Sequence, residues 1–236
     1  MKLRPISLSK FDVLAILAGR KNQIRVPGKF QNDKYTGLGV DYFGDQLHRD
    51  VATATYRARP GRDSARYGIC DSPFGVPGHG LWVRERHWMD VRDSSLVVMD
   101  ADGAVIAKNG SNLGEFINVD NLRKNKFWEL RYPSTMPRWA SRLTLAITLL
   151  RAERLNSISA ADAISEGIEG VVDNSPYGAA CGWTDYLDAG SLPFDHDKPQ
   201  ASYQSLWESI HGKKSWKSNP WVWAINFDRV APVPVS

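Results

Sequence analysis

Apolar and polar residues alternate with a period of two in several parts of the chain, a pattern typical of half-buried β-strands. The longest example has leucine or isoleucine at every second position from Leu143 to Leu149. Two short apolar runs, 96–99 and 104–107, flank Asp102-Gly103, a pair of residues that favours a hairpin turn. The predicted strands outside this hairpin are 23–26, 81–85, 143–149 and 221–228.

Three short helices are predicted from capping residues and from apolar residues three or four apart. The first begins at Ser9 and ends at Gly19, the second runs from Ser159 to Gly167, and the third covers about 201–211. Aspartates lie three residues after both serines, where a capping box places an acidic side chain. The predicted buried positions are Phe11, Leu14, Leu17, Ile164, Ile168, Leu206 and Ile210.

Two long segments, 28–80 and 170–200, are rich in Gly, Asp, Tyr and Pro and show no lasting periodicity. We interpret them as long loops inserted into one domain that spans residues 1–236. Several strands with short helices between them predict the α+β class, with a small mixed β-barrel at its centre.

Composition narrows the possible functions only a little. The 236 residues carry a net charge of +4, so a basic surface covering the whole chain is not expected. Nine Trp residues favour a thick core, or flat surfaces for ring-shaped ligands. Cys70 and Cys181 are far apart, and neither a signal peptide nor an apolar span is evident, which predicts a cytoplasmic protein without membrane contact.

No phosphate-binding glycine loop, dinucleotide fingerprint, nucleophile elbow or metal-ligand spacing is present in the sequence. We therefore predict no cofactor and no metal.

The segment from Gly19 to Arg25 places three cations within six positions directly after a helix end. One interpretation is that these cations complement the dipole of that helix. The other is that the turn presents Lys21 to a cleft, where desolvation would lower the pKa of its amine. Spacing alone does not decide between the two.

Other charged residues stand in unusual positions. Glu166 lies at the C-terminal end of a predicted helix, where a negative charge is unfavourable. Glu85 is the last residue of the predicted strand 81–85 and lies on the face opposite Trp82 and Arg84; if buried, it needs a cationic partner. The partner candidates for Glu85 are Arg25, Arg138 and Arg142.

Five segments together resemble the ASCH domain family of the PUA-like superfamily, most of all its larger members of the kind that phages and prophages encode. They follow the family's order, and the resemblance reaches from residue 12 to 229. The segments are 18–25 (AGRKNQIR), 80–85 (GLWVRE), 136–142 (MPRWASR), 162–168 (DAISEGI) and 219–223 (NPWVW).

This resemblance implies a PUA-like mixed β-barrel with short flanking helices and a cleft for a modified nucleoside, nucleobase or single-stranded RNA. Small members of the family remove the acyl group from N4-acetylcytidine with a Lys, a Thr and a Glu. The Lys and Glu map to Lys21 and Glu166, the predicted catalytic residues, whereas Ile24 occupies the Thr position. The predicted substrate-binding residues are Arg20, Asn22, Trp82, Arg84, Glu85, Arg138, Trp139 and Ser141.

Because Ile24 has no hydroxyl, three outcomes are open. Water replaces the hydroxyl, Asn22 or Ser141 supplies part of the missing polar group, or the chemistry is lost and only binding remains. The leading hypothesis is accordingly an amidohydrolase that acts on N4-acylated cytosine or cytidine. The alternatives are a non-catalytic module that binds RNA or a modified base and, third, a ribonuclease.

Overall fold

The computed structural model of this chain describes residues 1–28, 35–43, 51–58, 68–108, 112–173, 180–187 and 196–231. For 35–43, 51–58 and 68–71 the description is of the backbone alone. Helices and four β-sheets occur together in these residues, so the predicted α+β class is confirmed.

The helices are α1 (Lys10–Leu17), α2 (Val119–Arg123), α3 (Ala160–Ser165) and α4 (Pro199–His211). The strands are β1 (Leu3–Ser7), β2 (Gln23–Pro27), β3 (Tyr35–Phe43), β4 (Val51–Ala58), β5 (Gly68–Asp71), β6 (Gly80–Arg84), β7 (His87–Asp90), β8 (Leu96–Met99), β9 (Ala104–Ala107), β10 (Asn112–Phe116), β11 (Trp128–Arg131), β12 (Thr144–Arg154), β13 (Gly170–Asp173), β14 (Ala180–Trp183) and β15 (Trp221–Val230).

The chain divides into two compact units. The first consists of Met1–Gly19, Gly78–Ile147 and Phe227–Ser236, and the second of Arg20–Pro77 and Thr148–Asn226. The arrangement of residues 1–236 as one domain with insertions stays a prediction.

The first unit contains one complete five-stranded antiparallel sheet, in the order β10-β9-β8-β7-β11. It also contains β1, which runs parallel to β6, and β6 in turn pairs antiparallel with the start of β12. The second unit contains β2, most of β12 and the first part of β15, and β15 and β2 are antiparallel with Asn226 opposite Gln23. Two small antiparallel sheets, β3-β4-β5 and β13-β14, complete the second unit. All these strand orders are linear within the described residues, and the predicted barrel stays a prediction.

The strand predictions from periodicity are confirmed at 23–26, 81–85, 143–149 and 221–228, with shifts of one or a few residues at their ends. The hairpin of β8 and β9 is confirmed as well. Its turn needs glycine, because Gly103 has a φ of +81° and a Cβ there would lie 2.1 Å from the carbonyl oxygen of Ile117. Both faces of this hairpin are buried, since Val97 and Val98 point to opposite sides and neither is exposed.

The helix positions are confirmed, but the predicted buried faces are partly wrong. α1 follows Ser9, which forms both halves of a capping box with Asp12. It buries Val13, Ala15 and Ile16 in place of the predicted stripe of Phe11, Leu14 and Leu17, because six of its eight residues are apolar and spacing did not single out one face. Ile164 and Ile210 are 45% and 43% exposed and were also predicted wrongly, whereas Ile168 and Leu206 are buried.

The interpretation of 28–80 and 170–200 as loops is wrong for the strands that the structure describes there. β3, β4 and β5 lie in the first segment, and β13 and β14 lie in the second. Glycine and alanine interrupt the alternation in these strands, but Tyr, Thr and Val still favour extended backbone.

Among the described residues, no helix has the length and apolar character needed to cross a membrane.

Candidate functional site

The turn between α1 and β2 places Lys21 against the end of α3. The backbone N–H of Asn22 donates to the carbonyl oxygen of Ser165 at 3.0 Å, which fixes the turn beside that helix. The Lys21 amine then donates to Glu166 twice, to carboxylate Oε2 at 2.5 Å and to the backbone oxygen at 2.8 Å. Lys21 is 4% exposed and Glu166 2% exposed, so the ion pair is buried.

The position of Glu166 at the end of α3 explains why this contact forms. Backbone carbonyls at the C-terminus of a helix lack partners within the helix and carry partial negative charge. A carboxylate at the same place adds to that charge, and the Lys21 ammonium meets both. Lys21 thus complements the C-terminus of α3.

Arg25 binds the other side of the same carboxylate. Its guanidinium donates to Glu166 Oε1 at 3.0 Å and to Glu153 Oε1 at 2.6 Å, and lies 3.4 Å from Asp162 Oδ2. The Arg25 side chain is fully buried. Burial alone would lower the pKa of Arg25, but the electrostatic interactions with Glu166, Tyr203 and Glu153 outweigh it and the pKa is raised.

Gln23 and Asp162 extend these contacts into a network. The Gln23 amide donates to Asp162 Oδ1 at 2.7 Å and to Asn226 Oδ1 at 3.1 Å, and its carbonyl oxygen accepts from Arg25. Asp162 also accepts from Arg151 at 2.9 Å. Burial tends to raise the pKa of Asp162, but the hydrogen bonds from Gln23, Arg151 and Ser159 outweigh it and hold the pKa at about 2.

We call this set of six charged side chains the buried network, after its three buried members Lys21, Arg25 and Glu166; the other three are partly exposed. Its three cations and three carboxylates balance, which is the condition under which charges withstand burial. The buried network also joins an ammonium and a carboxylate in one place, the groups that stabilise an oxyanion and transfer a proton. Its members are Lys21, Arg25, Arg151, Glu153, Asp162 and Glu166.

Ile24 lies on the other face of β2. Side chains alternate along a strand, so Gln23 and Arg25 share the face that meets the buried network and Ile24 points the opposite way. Ile24 is 4% exposed and pairs in register with Ile225 of β15. The Ile24 side chain is therefore packed into the apolar interior.

The remaining predicted site residues of the second unit lie at the surface. Arg20 is partly exposed and forms an ion pair with Glu169 at 2.7 Å. Asn22 is exposed, and its backbone makes the contact with Ser165 described above. These positions are accessible to a ligand, in contrast to Lys21 and Glu166.

The other predicted residues lie in the first unit. Trp82 and Arg84 share one face of β6, and the Arg84 guanidinium carbon lies 5.7 Å from the centre of the Trp82 ring. Ser141 Oγ lies 2.8 Å from the Val83 carbonyl oxygen, a contact between the segments of β6 and β12. Arg138 is exposed, and Trp139 packs against the core cluster around Met99 and Met136.

Glu85 is buried and has Arg142 as its partner, one of the three predicted candidates. Two parallel hydrogen bonds of 2.9 Å join their side chains, and Arg142 also donates to Asp102 at 2.7 Å. Burial raises the pKa of Glu85 in spite of the opposing effect of Arg142. This geometry is that of an ion pair that supports the fold.

Sequence reasoning missed several members of the buried network. Asp162 was interpreted only as a capping residue, and Arg151 and Glu153 were not singled out at all. One signal was available: the polar residues Gln23 and Arg25 alternate with the apolar residues Ile24 and Val26, which indicates a strand whose polar side chains share one face. Within the described part of the chain, no group of three His, Cys, Asp or Glu side chains is placed to hold a metal ion.

No family model, no curated protein and no solved structure is significantly similar to this chain.

The role of Asp162 in the buried network gives a prediction for the pH dependence of stability. Its pKa is lower in the folded protein than its ordinary value of 3.8, so its contribution to stability is present above that pH and is lost as the pH falls towards about 2. Asp162→Asn removes the titrating group, so its free energy of unfolding should fall less than that of the natural protein over this pH range. Since the Asp162 side chain is partly exposed, we expect the difference to be only about 1 kcal/mol. Urea unfolding of both proteins between about pH 4 and pH 2 measures this difference. If the free energy of unfolding changes with pH in the same way for both, the stabilising role of Asp162 is contradicted.

Proposed function

We propose that this protein hydrolyses the amide bond of N4-acylated cytosine or cytidine, with Lys21 and Glu166 as its catalytic pair. The observation that supports the proposal is the 2.5 Å contact between the Lys21 amine and the Glu166 carboxylate, 145 residues apart in sequence. The resemblance of the five sequence segments to the ASCH domain family supplies the reaction. The same resemblance is the basis for expecting a PUA-like β-barrel.

In the proposed reaction, Glu166 accepts a proton from a water molecule as that water attacks the acyl carbonyl carbon. The carbonyl oxygen becomes an oxyanion, which the Lys21 ammonium stabilises. When the tetrahedral intermediate collapses, the carbon–nitrogen bond breaks and Glu166 returns the proton to the exocyclic amine. The products are a carboxylic acid and the unmodified base. Because Ile24 has no hydroxyl, water attacks directly and no acyl-enzyme forms.

Arg25 has a positioning role in this proposal. Its guanidinium holds Glu166 Oε1 at 3.0 Å while Lys21 holds Oε2 at 2.5 Å. Two cations on one carboxylate fix its orientation.

A second candidate is a module that binds a modified base or single-stranded RNA without cutting it. Two observations favour it: Ile24 is apolar and packed inside, and Lys21 and Glu166 are almost fully buried. In the first unit, Trp82 with Arg84 beside its ring has the chemistry of a stacking surface for bases. This candidate predicts salt-dependent binding that Trp82→Ala or Arg138→Ala weakens.

The test is to incubate the purified protein with N4-acetylcytidine and to follow its ultraviolet absorbance. We expect turnover by the natural protein and none by Lys21→Ala, because the oxyanion then has no cation. Lys198→Ala is the matched control, since Lys198 is an exposed lysine of the same unit and should keep full activity.

Absence of turnover at high protein concentration, or full activity of Lys21→Ala, would reject the amidohydrolase. Binding without turnover would favour the second candidate. Cleavage of single-stranded RNA that is lost in both Lys21→Ala and Glu166→Ala would instead indicate the ribonuclease.

A further inference from the structure

A cleft of about 400 Å³ lies in the second unit, at the C-terminal end of α4. This volume falls within the range of sites that bind small molecules. Its walls are formed by Pro27 at the end of β2, Arg154 at the end of β12, and Pro220 just before β15. Trp207 and His211 from α4 also line it.

The cleft combines flat rings with hydrogen-bond donors. The rings of Trp207 and His211 lie 4.0 Å apart between their centres, and the two prolines add further flat apolar surface. Ser215 and Ser218, from the turn that follows α4, contribute hydroxyl groups. Of the seven residues that line this cleft, all in the described part of the chain, none is acidic.

Two donors on residues that line the cleft lack acceptors among the described residues. The indole N–H of Trp207 and the hydroxyl of Ser215 are both buried and make no hydrogen bond there. Trp207 as a whole is 3% exposed. Buried donors without an acceptor are rare in folded proteins, and a bound ion is one of their recognised causes.

Arg154 is held in position for an anion. Its guanidinium carbon lies 4.5 Å from the centre of the Trp221 ring, and its NH1 donates to the Asn219 carbonyl oxygen at 3.0 Å. A guanidinium fixed in this way is suited to the oxygens of a phosphate group.

The turn after α4 adds more positive charge. It carries Lys213, Lys214 and Lys217, all exposed. The C-terminal part of α4 contributes the opposite sign, through Glu208 and through the helix end, which amounts to only about half a charge. The net charge around the C-terminal end of α4 is therefore positive, which favours binding of an anion.

We propose that this cleft binds a planar ring that carries a phosphate group, the chemistry of a nucleotide. The ring packs against Trp207 and His211, and the phosphate oxygens accept from Arg154, Ser215 and the indole N–H. The phosphate belongs either to a free nucleotide or to an RNA strand. This second site does not depend on the reaction proposed for Lys21 and Glu166.

The test uses nuclear magnetic resonance of the nine tryptophan indole N–H groups in the ¹⁵N-labelled full chain. Trp207→Phe identifies the Trp207 signal by its disappearance. Cytidine 5′-monophosphate, cytidine, inorganic phosphate and an oligocytidine without terminal phosphates are titrated in turn. We expect the monophosphate to shift the Trp207 signal and to bind at least about tenfold more tightly than cytidine, with affinity that falls as salt rises.

Variants test the assigned donors. Ser215→Ala and Arg154→Gln should each weaken binding of the monophosphate, by about tenfold for the arginine. Lys124→Gln, which removes an exposed cation from the first unit, should bind as the natural protein does. Ser215→Ala decides the outcome if Arg154→Gln fails to fold without the contacts of Arg154 with Trp221 and Asn219.

The ligands separate the two sources of phosphate. A shift with the monophosphate alone indicates a free nucleotide, and a shift with the oligocytidine alone indicates an RNA strand; either result supports the cleft. The proposal is overturned if no ligand shifts the Trp207 signal, if cytidine binds as tightly as its monophosphate, or if Ser215→Ala retains full affinity.

Discussion

Replacing Glu166 with Gln is expected to lower the kcat for N4-acetylcytidine by about 10²- to 10⁴-fold. The glutamine amide has nearly the shape of the carboxylate but cannot take a proton from water at neutral pH. It also removes the negative charge that holds the Lys21 ammonium at 2.5 Å. If Glu166 acts as the base, the loss should appear in kcat more than in KM, because the proton moves only in the transition state.

Glu169→Gln is the matched control for this change. Glu169 lies three residues further along the chain, is 47% exposed and pairs with Arg20 at the surface. We expect this variant to keep its turnover. Equal activity of Glu166→Gln and the natural protein would reject the role of Glu166, and equal losses in both variants would indicate a general effect on the fold.

Replacing Arg25 with Met is expected to reduce the free energy of unfolding by about 3–5 kcal/mol. Arg25 is fully buried and contacts Glu166, Glu153 and Asp162. Without it, the buried network keeps three carboxylates but only two cations, so one buried negative charge loses its compensation. The methionine fills much of the volume, so the effect is that of the charge and its hydrogen bonds.

Urea unfolding measures this effect, and Arg123→Met supplies the control. Arg123 also forms an ion pair, with Asp120 at 3.4 Å, but both side chains are more than half exposed. An exposed pair of this kind contributes at most about 1 kcal/mol. Equal losses in the two variants would mean that the buried network does not stabilise the protein.

Periodicity and capping were sufficient to predict the elements that position Lys21. The end of α1, the strand β2 and the helix α3 were all predicted close to their observed places. Local chemistry determines these features: Ser9 and Ser159 cap their helices, and glycines at 19 and 167 adopt a positive φ just beyond the helix ends.

The buried network was less accessible to sequence reasoning because its members come from distant parts of the chain. Glu153 and Arg25 are 128 residues apart, and nothing in the local sequence of either indicates the other. A capping aspartate such as Asp162 satisfies a simple local rule, which conceals its second set of partners, Gln23 and Arg151. The strands β3, β4 and β5 were missed for a related reason, since pairing between strands stabilises segments that lack a clear period.

The path of the chain between the two units limits how the protein can be truncated or expressed in parts. The chain passes from one unit to the other four times, so neither unit corresponds to a single continuous stretch of sequence. A gene fragment encoding 78–147 would lack β1, which pairs with β6 along five residues, and would leave that edge of β6 open to self-association. During synthesis, the second unit lacks a strand until residue 226 has been translated, because β15 is the pairing partner of β2. Truncated forms of this protein are therefore expected to aggregate.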